Sequence, residues 1–114
     1  MASTDGDWLC RDDGTVLASV EMATTSVARR VGLIGRAGID GALFLAPAFA
    51  VHTFGVRFPI DVAYLNADFV VLGTKTMKPR RIGRPRIRAK AVVEAEAGAF
   101  ARWGLKRGDK VDVR

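Results

Sequence analysis

One cysteine, one histidine and one tyrosine stand among the 114 residues. A single cysteine rules out an internal disulfide, and Cys10 has no Cys or His near it at the spacing of a zinc site. It is read as a small apolar residue that packs in the interior. No uncharged apolar run reaches the length that crosses a bilayer, and the start, Met-Ala-Ser-Thr-Asp-Gly-Asp, has no basic patch followed by an apolar stretch. No membrane insertion is expected, and the expected location is cytoplasmic. There is also no nucleophile motif, no phosphate-binding glycine loop and no metal-ligand spacing. Motifs alone therefore point to no catalytic residue, no metal and no cofactor.

Hydrophobic residues make up 49% of the chain and aromatics 8%, the composition of a globular protein. The length suits one core and is too short for two, so a single domain over residues 8–113 is expected, with 1–7 as a short N-terminal tail. Net charge is +6, and its placement matters more than its size. Eight basic residues and no acid lie between Lys75 and Lys90, leaving ten basic against twelve acidic residues elsewhere. The centre of that segment, K-P-R-R-I-G-R-P-R, has two prolines and a glycine among its arginines, which neither a helix nor a central strand tolerates. It reads as an exposed basic loop.

The remaining elements follow from periodicity. Val16, Ala18, Val20 and Met22 alternate with Leu17, Ser19 and Glu21, read as a strand with one buried face, and Asp12-Asp13-Gly14 turns into it from Trp8 to Arg11. Thr24, Thr25 and Ser26 are helix N-caps, and Val27, Val31 and Ile34 then recur at helical spacing. Ala42 to Leu45 is a short strand ended by Pro47. Ile60 to Leu65 and Phe69 to Thr76 flank Asn66-Ala67-Asp68, a hairpin. From Arg86 to Glu96 one face is apolar and the other is charged. Ala99 to Trp103 suits a short helix capped by Gly104, and Gly108-Asp109 turns the chain into a last strand with Val111 and Val113 inward. The fold class expected is α+β, mostly β: a small antiparallel barrel or jelly-roll-like sandwich with two short helices.

Five motifs occur in series: R-V-G-L-I-G-R (Arg30 to Arg36), G-A-L-F (Gly41 to Phe44), H-T-F-G-V-R-F-P-I-D (His52 to Asp61), V-E-A-E-A-G (Val93 to Gly98) and G-L-K-R-G-D-K-V (Gly104 to Val111). In this order and spacing the chain resembles the prokaryotic family catalogued as domain of unknown function 192, over about residues 8 to 113. The resemblance implies a compact β-rich domain with short helices and no established activity. In the branch with H-T-F-G it also implies Met at the positions of Val56, Ile34 and Ala42, and Cys at that of Ala48. This chain keeps only the imidazole of any soft-metal set built on those sulfurs, so no metal site is expected.

Three functions of different class are compatible with these residues. The first is a non-catalytic ligand-binding or accessory module, monomeric, taking an unidentified small molecule or protein at His52, Thr53, Arg57, Asp61 and Glu94. The second is a nucleic-acid binder using Lys78, Arg80, Arg81, Arg84 and Arg86 of the loop 75–90, although that segment has no aromatic residue to stack on bases. The third is a small hydrolase-like enzyme with Asp61 or His52 as base, for which no second positioned group is evident. Asp61 shares a strand face with Ala63 and Leu65, so it is expected to be buried and to accept hydrogen bonds from an arginine or from backbone N–H groups.

Overall fold

The computed structural model describes residues 7–114, and residues 1–6 of the expected tail lie outside the described residues. Strands and helices follow in the order β1 (Trp8–Arg11), β2 (Val16–Ala23), α1 (Ser26–Val31), β3 (Ala42–Leu45), β4 (Ile60–Leu65), β5 (Val71–Met77), β6 (Ala91–Glu96), α2 (Ala99–Trp103) and β7 (Val111–Val113). The strands form one sheet in the order β5-β4-β6-β3-β2-β1-β7. The mostly β architecture with two short helices is as the periodicity implies, and both hairpins, β1–β2 and β4–β5, are present.

Two details correct the expected topology. β2 and β3 run parallel, pairing Val20 with Ala42 and Ala23 with Leu45, so the sheet is mixed rather than wholly antiparallel. The chain between them is long enough to hold α1, and such a crossover returns it to the starting end of the sheet, which a tight turn cannot do. The sheet also curls without closing into a barrel. Its edges meet at a single bridge between Val70 and Lys110, beside which the Val71 N–H donates to the Asp109 carbonyl at 2.8 Å.

Both faces of the sheet centre are covered. On one, Ala63 and Leu65 pack with Phe44, Val93 and Leu9 beneath Phe100 of α2. On the other, Val62 and Tyr64 pack with Leu45 of β3 and with Leu33, Val51 and Val56, which come from the long connections after α1 and β3. Every residue of β4 is consequently buried. The same cover corrects the reading of β6 as a strand with one solvated face: Val92 is buried with the second core, and Glu94, on the same side, is buried too. Removing a large side chain such as Val, Leu or Phe from water contributes roughly 1.5–3 kcal/mol, so covering the second face adds materially to the stability of a chain this short.

Thr25 caps α1, its hydroxyl accepting from the Ala28 N–H at 3.0 Å. The helix ends at Val31, before Gly32, and contains no buried residue. The expected apolar face of Val27, Val31 and Ile34 is exposed instead. A helix of this length has room for only one inward contact, supplied by Ala28, and Leu33 just past the glycine takes the buried position. At the other end of the chain, Gly104 closes α2 in the left-handed conformation and Leu105 packs behind it.

Candidate functional site

Asp61 begins the sheet-facing alternation of β4 and points toward α2. Its Oδ1 accepts from the Thr76 hydroxyl at 2.7 Å, and its Oδ2 accepts from the backbone N–H groups of Gly98 and Phe100 at 3.0 and 3.1 Å. The carboxylate thus satisfies the free N–H groups that open α2. Backbone donors were among the partners expected; Arg57 and Arg36 are not partners, since Arg57 is exposed and Arg36 pairs with Glu21 at 2.9 Å. A cleft of about 380 Å³ lies beside Asp61, between Lys75, Thr76, Gly98 and Phe100. Among the described residues Asp61 is the only carboxylate in its wall, and it already accepts three hydrogen bonds.

Glu94 faces the opposite way. Opposite Leu43 on one neighbouring strand and Val62 on the other, it projects into the second core and lines a cavity of about 70 Å³ between α1 and the segment around His52. Leu33, Leu45, Val51 and Val56 supply apolar wall, and Arg29, Arg30 and His52 also line it. Only 5% of Glu94 is exposed, and no protein group hydrogen-bonds its carboxyl among the described residues. Burial pushes its pKa up from 4.5 to about 7. Gly32 turns the chain here with φ +47°, and a Cβ there would lie in ordinary contact, 4.0 Å, with Glu94 Oε1.

The other residues singled out in the sequence are dispersed around this cavity. His52 is exposed at its mouth, with Nδ1 accepting from the Phe54 N–H at 3.2 Å. Thr53 is fully buried and turns away: its hydroxyl donates to the Lys78 carbonyl at 2.7 Å and accepts from the Arg81 N–H at 2.8 Å. Arg57 is exposed and makes no ion pair among the described residues. His52 and Glu94 are therefore brought to one cavity, Thr53 is bonded to the segment of Lys78 and Arg81, and Asp61 belongs to the other face of the sheet.

Sequence reasoning missed the contribution of Arg29, Arg30 and Leu33. The motif R-V-G-L-I-G-R carried the signal, since its Gly32 and Leu33 break the helical spacing at the point where the cavity opens. Of the basic residues, Lys75 belongs to β5, and Lys78, Arg80, Arg81 and Arg84 are exposed. Arg86 is half-buried, with its guanidinium 5.2 Å from the centre of the Tyr64 ring. No cluster of three or more His, Cys, Asp or Glu side chains suited to a metal ion exists among the described residues.

The family model of the domain of unknown function 192, described as "Uncharacterized ACR", matches residues 9–113. The UPF0127 protein PH1112 of Pyrococcus horikoshii is 29% identical over 97 residues, covering 81% of this chain and 84% of the relative. A solved structure of a protein of unknown function from Novosphingobium aromaticivorans superposes with a TM-score of 0.77 at 23% identity, over 93% of this chain and 82% of that one. A second, from Sinorhizobium meliloti, described as a "putative transcription regulator", gives a TM-score of 0.69 at 18% identity, over 94% of this chain and 91% of that one. At these identities the structures speak for the fold alone. The family match spans nearly the whole described chain and takes in all five motifs, and the chain belongs to the family of the domain of unknown function 192.

Proposed function

We propose that the chain is a non-catalytic ligand-binding module whose site is the cavity floored by Glu94. The observation that supports this reading is a carboxyl group 5% exposed, with no protein hydrogen-bond partner among the described residues, in a small cavity of mixed apolar and basic lining that opens at His52. No fully buried side-chain oxygen or nitrogen lacks a hydrogen-bond partner among the described residues, so the Glu94 oxygens keep contact with the space of the cavity; burial nevertheless disfavours their ionised form, and a cationic ligand seated there offsets that cost. The chemistry that fits is a small molecule with an N–H-bearing, positively charged end against Glu94 and an apolar body against Leu33, Leu45 and Val56. Catalysis has less support, because no hydrogen bond joins Glu94 to His52 or to any nucleophile among the described residues.

The test is a pH titration of the Glu94 carboxyl by carbon-detected NMR, with and without methylguanidinium or methylammonium as probe. A cation seated on the carboxylate favours its ionised form, so the apparent pKa should fall below about 7. The His52 ring signals should move with it, and Glu94→Gln should abolish both effects. An unchanged titration at millimolar probe overturns the reading.

A further inference from the structure

We propose that the segments 47–54 and 80–90 form a peripheral docking surface for a bilayer bearing anionic headgroups, a role that does not need a ligand on Glu94 although Ala50, Val51 and His52 of the first segment also line that cavity. The two segments run side by side and are stitched together. The Thr53 N–H donates to Arg81, the Gly83 N–H to Val51 and the Arg86 N–H to Phe49, each at 2.8 Å, and Ile82 bridges to His52. What projects from this fixed backbone is unusual for a surface exposed to water. Ile87 is 88% exposed and Ile82 75%, and Phe49 and Phe54 are about half exposed. Between and around them stand Arg80, Arg81, Arg84, Arg88 and Lys90, all exposed. Neither segment contains an acidic residue, and none of these cations is in an ion pair among the described residues.

Charge and apolarity together select the partner. Each lysine or arginine near an anionic bilayer contributes about 1 kcal/mol of attraction, and exposed aliphatic and aromatic side chains gain by entering the boundary between headgroups and acyl chains. A nucleic acid answers the charge and could stack on the phenylalanines, but it offers nothing to the two isoleucines, which are the most exposed of the four. Arg86 is not part of the headgroup set, because its guanidinium is held over Tyr64. The contact is superficial: no helix among the described residues is long and apolar enough to cross a membrane.

The experiment is sedimentation of the full chain with vesicles of phosphatidylcholine alone and of phosphatidylcholine mixed with phosphatidylglycerol, at about 0.15 M salt, where diffuse attraction is screened beyond about 8 Å. The protein should bind the mixed vesicles and not the neutral ones. The double variant Ile82→Ser/Ile87→Ser should keep the thermal melt of the parent and lose about tenfold in binding; Arg80→Ser/Arg81→Ser/Arg84→Ser should reduce it to the level of neutral vesicles. Failure to bind the mixed vesicles overturns the proposal. Undiminished binding of the isoleucine variant overturns it as well, by showing attraction through charge alone. So does tighter binding of a single-stranded oligonucleotide at the same salt, lost in the arginine variant and kept in the isoleucine variant, which assigns the surface to nucleic acid.

Discussion

Asp61 and Glu94 sit on adjacent, hydrogen-bonded strands one register step apart, and they point to opposite faces of the sheet: Asp61 is opposite Ala95, and Glu94 is opposite Val62. One carboxyl is engaged with Thr76 and the opening of α2, and the other has no protein hydrogen-bond partner among the described residues. Two buried acids in one small sheet thus have separate surroundings, one bonded to the opening of a helix and one facing a small cavity.

The first prediction concerns the engaged acid. Asp61→Ala removes the acceptor of three hydrogen bonds and should lower stability by about 1–3 kcal/mol in urea unfolding. Asp61→Asn should lose less than half as much, because its amide can turn its oxygen to Gly98 and Phe100 and donate its N–H to the Thr76 hydroxyl. Neither change should move the titration of Glu94 on the far side of the sheet. An Asn variant as unstable as the Ala variant would mean that the negative charge, rather than the acceptor geometry, holds α2.

Glu94 predicts a pH dependence with a definite sign. The folded protein keeps this carboxyl protonated up to about pH 7, whereas its ordinary pKa is 4.5, so the native state binds the extra proton between those values. Its contribution is fully present below pH 4.5 and is lost as pH rises through about 7, a fall of about 3 kcal/mol. Glu94→Gln should remove this slope and be more stable than the parent at pH 8. Urea midpoints measured from pH 5 to pH 8 decide the matter, and parallel curves for the two proteins would count against the raised pKa.

Much of the fold is legible in the sequence because side-chain alternation identifies strands locally. It finds the β4–β5 hairpin around Asn66 and the strand leading to Glu96, and it puts Asp61 on the side of Ala63 and Leu65. Alternation does not say which strands pair, so the parallel contact of β2 with β3 depends on a crossover whose path no local pattern encodes. For the same reason Asp61 and Glu94 look like members of one cluster: each strand reports its own two sides, and only the register between strands decides which sides coincide. The cover over Glu94 comes from the irregular chain at 46–59 and from Leu33, where there is no period to read. The turn at Gly108 is legible, but the ion pair that anchors Asp109 to Arg11 at 2.7 Å joins the two ends of the described chain and leaves no local trace.

Gly41 and Gly35 make a controlled pair. Both have positive φ, +74° and +80°, but a Cβ at Gly41 would collide with the Ser19 carbonyl and hydroxyl of β2, whereas among the described residues nothing beyond the adjacent ones lies within 4 Å of a Cβ at Gly35. Gly35→Ala should therefore cost only the left-handed backbone conformation, about 1 kcal/mol. Gly41→Ala must in addition push β2 and β3 apart where they begin to pair, and should cost more than about 2 kcal/mol. Equal losses in thermal and urea unfolding would show that β2 yields at Ser19 without resistance.

The last prediction tests what holds the basic segment against the sheet. Thr53 is fully buried, and its hydroxyl both donates to the Lys78 carbonyl and accepts from the Arg81 N–H, while its own N–H donates to the Arg81 carbonyl. Thr53→Val keeps the volume and the β-branched shape but removes the hydroxyl, leaving two backbone groups without their partner. The cost should be about 1–2 kcal/mol, toward the lower end for a buried group because Lys78 and Arg81 are near solvent. The local effect should exceed the global one. Hydrogen exchange at the Arg81 amide should speed up by more than the loss of stability accounts for, and the neighbouring Gly83 amide, bonded to Val51 at 2.8 Å, should follow. Thr53→Ser restores the hydroxyl and should bring the protection at Arg81 most of the way back. If exchange at Arg81 and Gly83 is the same in the Val variant as in the parent, the segment is held by packing of Gly83 against Val51 and Tyr64 instead, and a presented, preorganised arginine surface would then have to rest on that contact alone.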